Sequence, residues 1–218
     1  MRYLAIIGLI LYVLSCGAQS SVAKDSIYSN DLDFKLKDGV YLLWEDFILN
    51  KPSLKFEQLT TKEGKQISEF RPLERIYFVK TGDSTLKLNP AEIFGFTENG
   101  TFYIQFEHEG SSYFGRTVNP GALWQFAAMV ISYQRTLSYN PYFPGDYRTI
   151  PSKDLKQIIL NYKTGEVYPA NSKVLIPILA KDPKIASLLD KTPKRKRKKR
   201  LFYFLRKYNE NNPVAFPK

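Results

Sequence analysis

Residues 92–107 read EIFGFTENGTFYIQFE and predict the central element of the fold, an antiparallel hairpin. Apolar runs flank Asn99-Gly100 on both sides, and after it Phe102, Ile104 and Phe106 alternate with Tyr103, Gln105 and Glu107. Both residues of an Asn-Gly pair tolerate positive φ, which the tight turns of two-residue hairpins require. We therefore expect two paired strands here, each with one face turned toward a core.

Further segments rich in β-branched and aromatic residues predict strands on both sides of this hairpin. They are residues 39–44, 54–59, 74–80 and 86–88 before it, and residues 112–118, 157–162 and 166–168 after it. Residues 122–132 (ALWQFAAMVIS) are mostly apolar and fit either a buried strand or a short helix. The segment is too short for its periodicity to decide between the two.

Three capping signals predict helices in the C-terminal part of the chain. They are Asn171, Asp182-Pro183 and Thr192-Pro193, which place helices over residues 172–180, over residues 183–189 and after residue 193. The last of these helices carries apolar residues at helical spacing on one face, namely Leu201, Phe204, Leu205 and Tyr208.

Strands that precede helices indicate the α+β class. We expect an antiparallel β meander and hairpins over about residues 38–118 and 157–168, followed by the C-terminal helices. The sequence predicts four regions along the chain. They are a signal peptide (1–15), a lipid-attachment site with a flexible tether (16–33), an α+β domain (34–190) and a basic C-terminal helix and tail (191–218).

The first residues of the chain have the order of a secretory signal. Met1-Arg2 supply positive charge, and residues 4–14 (LAIIGLILYVL) are apolar. This run is too short to span a bilayer, which takes about 20 apolar residues. Cys16 follows it closely and is the only cysteine, so no intramolecular disulfide is possible. The alternative is an ordinary cleaved signal with an incidental cysteine.

Residues 13–16 (VLSC) resemble the lipobox of bacterial lipoproteins. The resemblance implies that the Cys16 thiol carries a diacylglycerol, that residues 1–15 are removed, and that the new amino terminus is acylated too. Two or three acyl chains would hold the protein stably at a membrane, whereas one gives reversible binding. The implied location is the cell envelope, and the lack of an acidic cluster after Cys16 favours the outer membrane facing the periplasm.

Three further segments resemble small uncharacterised envelope proteins of Bacteroidota-type bacteria. They are residues 38–47 (DGVYLLWEDF), 162–168 (YKTGEVY) and 204–213 (FLRKYNENNP). This resemblance implies no activity, because it brings no catalytic residues with it. The part of the chain from Cys16 onward has the length of one domain, and 15 Tyr and 15 Phe can fill its core.

The positive charge of the chain is concentrated in one place. Residues 191–200 (KTPKRKRKKR) carry eight of the cations behind the net charge of +11, which leaves +3 for the rest. If this segment is helical, its like charges repel at i,i+3 and i,i+4, and they stand where the helix dipole disfavours cations. The candidate residues for binding an anionic surface are Lys194, Arg195, Lys196, Arg197, Lys198, Lys199 and Arg200.

Three explanations of this segment are open. Its first turns fray into solvent as a solvated face, or an anionic lipid or envelope polymer offsets the repulsion. Nucleic acid is the usual partner of such a run, but export from the cytoplasm disfavours it.

No nucleophile elbow, phosphate loop or metal motif is present, so we predict no catalytic residue, no metal site and no cofactor. His108 is the only histidine, and its neighbours Glu107 and Glu109 would point to the opposite face of a strand. We therefore expect His108 to lie at a solvent-facing loop entrance. The leading hypothesis is a lipid-anchored envelope protein that acts as a binding or structural module.

The alternative is a carboxylate-dependent hydrolase of envelope glycans, which would use Glu45 or Asp46 with a distant acid. Asp46 fits equally well as a turn residue that satisfies backbone amides. The aromatic loop at residues 139–147, with Trp44 and Trp124, could stack on sugar rings, although such side chains more often fill a core.

Overall fold

The computed structural model describes residues 26–31, 33–67, 69–81, 84–137 and 147–217, and it confirms the α+β class. The strands are β1 (Ser26–Tyr28), β2 (Gly39–Tyr41), β3 (Leu59–Thr60), β4 (Tyr77–Thr81), β5 (Ser84–Leu88), β6 (Gly95–Glu98), β7 (Thr101–His108), β8 (Ser111–Asn119), β9 (Leu123–Leu137), β10 (Tyr147–Asn161), β11 (Val167–Pro169) and β12 (Ala215–Pro217). The α-helices are α1 (Trp44–Ile48), α2 (Ser172–Leu179), α3 (Pro183–Asp190), α4 (Lys194–Arg197) and α5 (Leu201–Asn211). Short 3₁₀ turns cover Phe56–Gln58, Pro90–Glu92 and Lys198–Arg200.

A seven-stranded antiparallel sheet lies at the centre, in the order β11-β10-β9-β8-β7-β6-β2. Its strands from β6 to β11 are neighbours both in sequence and in space, as expected of a meander. Strand β2 joins the edge beside β6, with Val40 opposite Phe96. A three-stranded sheet, β3-β4-β5, and the two-stranded pair β1-β12 complete the β-structure of the described residues.

The turn between β6 and β7 forms at the predicted Asn99-Gly100 pair. The φ angles are +52° at Asn99 and +71° at Gly100, so both residues adopt the left-handed conformation that the turn requires. The Asp38 carboxylate accepts hydrogen bonds from the backbone amides of Asn99 (3.2 Å) and Gly100 (3.0 Å). The local sequence specifies the turn, and a residue distant in sequence supplies the acceptors for its two backbone amides.

Residues 122–132 belong mostly to a strand. They form the first part of β9, and β10 pairs with β9 along its whole length, from Leu123↔Asn161 to Leu137↔Tyr147. Trp124, Phe126 and Val130 are buried, whereas Met129 between them is exposed. Residues 123–126 are buried on both faces of the strand, and the alternation typical of one covered face begins at Met129. Strand β10 also starts well before residue 157, where the sequence predicted its beginning.

The predicted strand at residues 54–59 is wrong for most of its length. Phe56–Gln58 is a 3₁₀ turn, and only Leu59–Thr60 pairs as a strand. The Gln58 side-chain oxygen accepts a hydrogen bond from the Lys55 amide at 2.7 Å. A local bond of this kind competes with the hydrogen bonds of a sheet, which explains why the alternating pattern misled the prediction.

The predicted strand at residues 39–44 ends at Tyr41, and α1 begins at Trp44. This five-residue helix places one fully buried side chain, Phe47, in the aromatic core. The Phe47 ring stacks on Phe102 at a centroid distance of 4.4 Å.

Apolar side chains cover both faces of the large sheet. One face holds the aromatic cluster, whose buried members include Tyr41, Phe47, Phe102, Trp124, Phe126 and Phe216. The helices α2, α3 and α5 pack on the opposite face against Leu123 and Ile159. The three-stranded sheet closes a third cluster around Val40, Phe70, Tyr77 and Phe96.

Two of the three predicted helix caps are confirmed. The Asn171 side chain accepts a hydrogen bond from the Val174 amide at 3.1 Å at the start of α2. The Asp182 carboxylate accepts bonds from the amides of Lys184 (2.9 Å) and Ile185 (3.2 Å) at the start of α3. Side-chain oxygens at these positions satisfy amides that have no partner within the helix.

The third predicted cap is wrong. The Thr192 hydroxyl turns back to donate to the Leu188 carbonyl at 2.9 Å, and Pro193 takes the N-cap position of α4 without a side-chain bond. The predicted apolar face of the last helix is confirmed in α5, where Leu201, Phe204 and Leu205 are buried and Tyr208 is half-buried.

Asn209 ties α5 to the start of β9. Its side-chain oxygen accepts a hydrogen bond from the Leu123 amide at 3.0 Å, and its side-chain nitrogen donates to the Leu123 carbonyl at 2.8 Å. Gly121 lies against this side chain with φ +147°, and a Cβ there would stand 2.5 Å from Asn209 Cγ. The close approach of helix and strand therefore requires glycine at this position.

The two ends of the described chain meet. Strand β1 pairs with β12 in the register Ser26↔Pro217, and the Ser29 amide donates to the Val214 carbonyl at 2.8 Å. Residues 26–28 fall within the predicted tether (16–33), so paired structure begins before residue 34. Phe216 is buried in the aromatic cluster. The predicted C-terminal region (191–218) therefore shares a core with the predicted α+β domain (34–190).

Candidate anionic-surface site

The basic segment, which we define as residues 194–200, lies between α3 and α5. Its backbone is helical throughout, as α4 followed by the 3₁₀ turn Lys198–Arg200. The segment runs directly into α5, whose buried Leu201 and Phe204 fix it to the core. The like charges are therefore held at helical spacing.

One of the seven cations is tied to the domain. The Arg197 Nε donates to the Thr192 carbonyl at 3.0 Å, and an Arg197 terminal nitrogen lies 3.8 Å from an Asp190 carboxylate oxygen. The guanidinium of Arg200 lies over the Tyr203 ring, 5.1 Å from its centroid. The side chains exposed to solvent are those of Lys194, Arg195, Lys196, Lys198, Lys199 and Arg200.

A cleft that the sequence did not predict lies beside the basic segment. It has a volume of about 340 Å³ and separates the first turn of α5 from the β9–β10 hairpin. Phe202, Tyr203 and Arg206 line one wall, and Gln125 and Gln157 line the other. The helical period of α5 places these three side chains away from its buried face, but no local pattern predicts which strand they meet.

The carboxylates of the hydrolase hypothesis hold different positions. Glu45 is exposed, whereas Asp46 is half-buried and accepts a hydrogen bond from the Ser53 hydroxyl at 2.5 Å. The Ser53 hydroxyl in turn accepts a bond from the Leu42 amide at 2.8 Å. Asp46 thus holds the loop after α1 against the chain before it, which is a structural role.

His108 ends β7 and lines a cavity of about 580 Å³ between that strand and the β10–β11 edge. Its Nε2 atom is buried and lies 3.6 Å from a Glu109 carboxylate oxygen, beyond hydrogen-bond distance. Lys156 and Tyr168 line the same cavity. The His108 side chain is thus partly exposed at the end of β7, directly before the turn at Glu109-Gly110, and one of its ring nitrogens is buried.

Trp124 does not support the sugar-stacking hypothesis, because it is buried in the aromatic cluster. Trp44 is half-buried and packs against Gly165, where a Cβ would lie 3.0 Å from the indole ring. The rest of the predicted aromatic loop, residues 139–146, lies outside the described residues, as do the signal-like residues 1–15 and Cys16.

Within residues 26–217, as far as the structure describes them, no three His, Cys, Asp or Glu side chains come together in a way that could hold a metal ion. No helix in the same described part of the chain combines the length and apolar character needed to cross a bilayer. No protein-family model, curated protein or solved structure matches the chain.

Proposed function

We propose that this protein is a non-catalytic, lipid-anchored protein of the bacterial cell envelope that binds an anionic surface through its basic segment. The observation that carries the proposal is the exposure of six cations on a helical backbone fixed to the core. In this proposal acyl chains on Cys16 anchor the chain to the outer membrane, on the side facing the periplasm. Anionic lipid or an anionic envelope polymer is the second partner.

The basic segment is electrostatically unfavourable in the isolated protein. Seven pairs of like charges stand at i,i+3 or i,i+4 in residues 194–200, and each costs about 0.2–0.5 kcal/mol at low salt. The same cations lie at the N-terminal end of the helical stretch, where the dipole adds to the repulsion. An anionic membrane surface offers about 1 kcal/mol for each nearby Lys or Arg, which outweighs this cost.

The lipid anchor and the basic segment would act together. In this proposal the acyl chains supply the stable attachment, and the basic segment adds electrostatic attraction to the anionic surface beside them. Once the acyl chains hold the protein at the surface, binding by the basic segment is intramolecular, so a modest affinity is enough. The protein would then lie with a fixed side toward its anionic partner.

The anchor is tested by intact-mass measurement of the native protein from the membrane fraction. We expect a chain that begins at Cys16 and carries the added mass of acyl groups. The Cys16→Ser variant should keep residues 1–15 and gain no acyl mass. Native protein that is free in the cytosol with residues 1–15 intact would overturn the proposed anchor.

The basic segment is tested in a Cys16→Ser chain that is produced from residue 16 onward, where neither acyl groups nor the apolar run of residues 4–14 can dominate membrane retention. A triple variant, Lys194→Gln, Lys198→Gln and Lys199→Gln, is compared with a matched variant that neutralises three exposed lysines elsewhere, Lys62→Gln, Lys65→Gln and Lys87→Gln. We expect the first variant alone to lose at least about tenfold in partitioning to phosphatidylglycerol vesicles at low salt. Equal retention of both variants, or retention that salt does not weaken, contradicts the proposal.

A further inference from the structure

We propose that one uncovered face of the β9–β10 hairpin inserts among the headgroups and upper acyl chains of an anionic bilayer. This inference rests on the proposed function, because it assigns lipid rather than polymer as the partner of the basic segment. It concerns residues that neither the charge pattern nor the predicted anchor singles out.

The face is formed by four large apolar side chains, which we call the apolar hairpin face. Met129, Ile131 and Tyr133 lie at alternate positions of β9, and Leu155 lies directly opposite Met129 on β10. Their exposed fractions are 56% for Met129, 43% for Ile131, 67% for Tyr133 and 58% for Leu155. Contiguous exposed apolar residues of this size mark an interaction surface.

The opposite face of the hairpin is covered as far as Ser132, which holds Met129 and Ile131 in a fixed orientation, whereas Gln134 and Ile150 beyond it are exposed. Val130 and Ser132 are buried, and the Ser132 hydroxyl donates to the Asp154 carboxylate at 2.7 Å. The Tyr113 hydroxyl lies 3.2 Å from the Ile131 carbonyl, to which it donates. The hairpin therefore presents its apolar side chains from a supported sheet.

Within β9 and β10, the side of the sheet that carries the apolar hairpin face holds cations and no carboxylate. Its positions include Arg135 and the exposed Lys153. Asp154, the one acidic residue of the two strands, lies on the opposite side. An apolar surface beside an exposed cation is complementary to anionic headgroups above an apolar layer.

The apolar hairpin face continues into the basic segment. Gln157 lines the cleft that Arg206 and Tyr203 border, and Arg200 lies over Tyr203. Leu155 lies two residues before Gln157 on β10. The two side chains therefore point to the same face of the strand, and their Cα atoms are roughly 7 Å apart. Cations and apolar side chains thus belong to one surface.

A bilayer fits this surface better than a soluble polyanion. An anionic polymer would neutralise the cations and leave four large apolar side chains in water. Burial of such side chains is favourable in proportion to the apolar area removed from water, and a membrane provides that burial beside its phosphates.

The test places a fluorescent indole on the apolar hairpin face. The Tyr133→Trp variant of the Cys16→Ser chain is mixed with phosphatidylglycerol vesicles whose acyl chains carry bromine, and the signal of the unsubstituted chain is subtracted. Leu86→Trp is the matched control, because Leu86 is also exposed but lies on the three-stranded sheet. A second pair of changes, Met129→Ser with Leu155→Ser, removes apolar surface without touching any cation.

We expect bromine to quench the indole at position 133 and not the indole at position 86. The double serine variant should partition to the vesicles about tenfold more weakly than its parent. Salt-sensitive binding through the basic segment, with no quenching at position 133, overturns the insertion and leaves the proposed function standing. Quenching that persists after Lys194→Gln, Lys198→Gln and Lys199→Gln overturns the proposed role of the basic segment and supports the hairpin.

A second copy of the chain is the remaining possible occupant. In sedimentation without vesicles, we expect the parent chain and the double serine variant to have the same oligomeric state. Such self-association, with an unquenched indole at position 133, would show that the face is a dimer interface and would overturn the lipid assignment.

Discussion

Asn209 shows how one side chain can connect two layers. It satisfies both the amide and the carbonyl of Leu123, and it is only 3% exposed. Because truncation would leave two buried backbone groups without partners, we expect Asn209→Ala to lower the free energy of unfolding by about 2–4 kcal/mol. Urea denaturation measures this loss. Asn211→Ala, at an exposed position of the same helix, should change stability by less than about 0.5 kcal/mol.

Asp182 gives a prediction that depends on pH. The hydrogen bond from the Asn212 side chain, with the two backbone amides of the cap, holds the pKa of Asp182 below its usual range. A folded-state pKa below the unfolded value means that the stabilisation is complete above the unfolded pKa and is lost as the pH falls through the folded one. We expect Asp182→Ala to cost about 1 kcal/mol at pH 7, and this difference to shrink below about pH 4.

Asp182→Asn is the control, because asparagine keeps a capping oxygen that does not titrate in this range. Its thermal stability should fall less than that of the alanine variant, and its advantage over the alanine variant should not change as the pH falls through the range in which the carboxylate titrates. A constant difference between Asp182→Ala and the parent from pH 7 to pH 3 would contradict the assignment.

At the level of elements, repulsion among the exposed cations of the basic segment lowers the free energy of unfolding. Lys198 lies at helical spacing from Lys194 and Arg195, so Lys198→Gln removes two repulsive pairs. We expect this change to raise the free energy of unfolding by about 0.4–1 kcal/mol at low salt, and to have a smaller effect at 0.5 M salt. Lys163→Gln, at an exposed turn, serves as the control and should leave the thermal midpoint unchanged.

How far the sequence predicts an element depends on how local its determinants are. The Asn99-Gly100 turn and the caps at Asn171 and Asp182 are specified within a few residues, and all three form as predicted. Thr192 carries the same kind of signal but bonds backward to α3, because a hydroxyl can also donate to a carbonyl one turn earlier.

The sequence predicts the cations of the candidate site, but it does not predict the cleft and the apolar hairpin face that lie beside them. The basic segment is evident in the sequence, and its exposure follows from the charge density. The apolar hairpin face cannot be recognised in the sequence, because adjacent apolar residues of β9 point to opposite faces. Val130 is buried and Met129 is exposed. Which side of a strand is covered depends on where distant helices end, and no local pattern contains that information.

At the scale of the whole molecule, the C-terminal strand closes the core that earlier strands build. The Phe216 ring lies 5.1 Å from Phe34, 5.5 Å from Phe47 and 5.1 Å from Tyr162 between ring centroids. We expect Phe216→Ala to lower the free energy of unfolding by about 3–5 kcal/mol, since it leaves a cavity within the aromatic cluster. Val167→Ala, at an exposed strand position, should cost under 1 kcal/mol in the same denaturation experiment.

The pairing of β1 with β12 also has a practical consequence for engineering. Because Ser26 and Pro217 are register partners, a short peptide linker can join these two residues in a chain that begins and ends there, and new ends can be opened at Glu109-Gly110, where a Cβ at the glycine would meet nothing within 4 Å. A gene permuted in this way would encode the same arrangement of strands, but the N-terminus would lie at the turn between β7 and β8. An acyl group attached to the relocated terminus would then turn a different side of the protein toward the membrane, while the order of strands in the sheets is preserved.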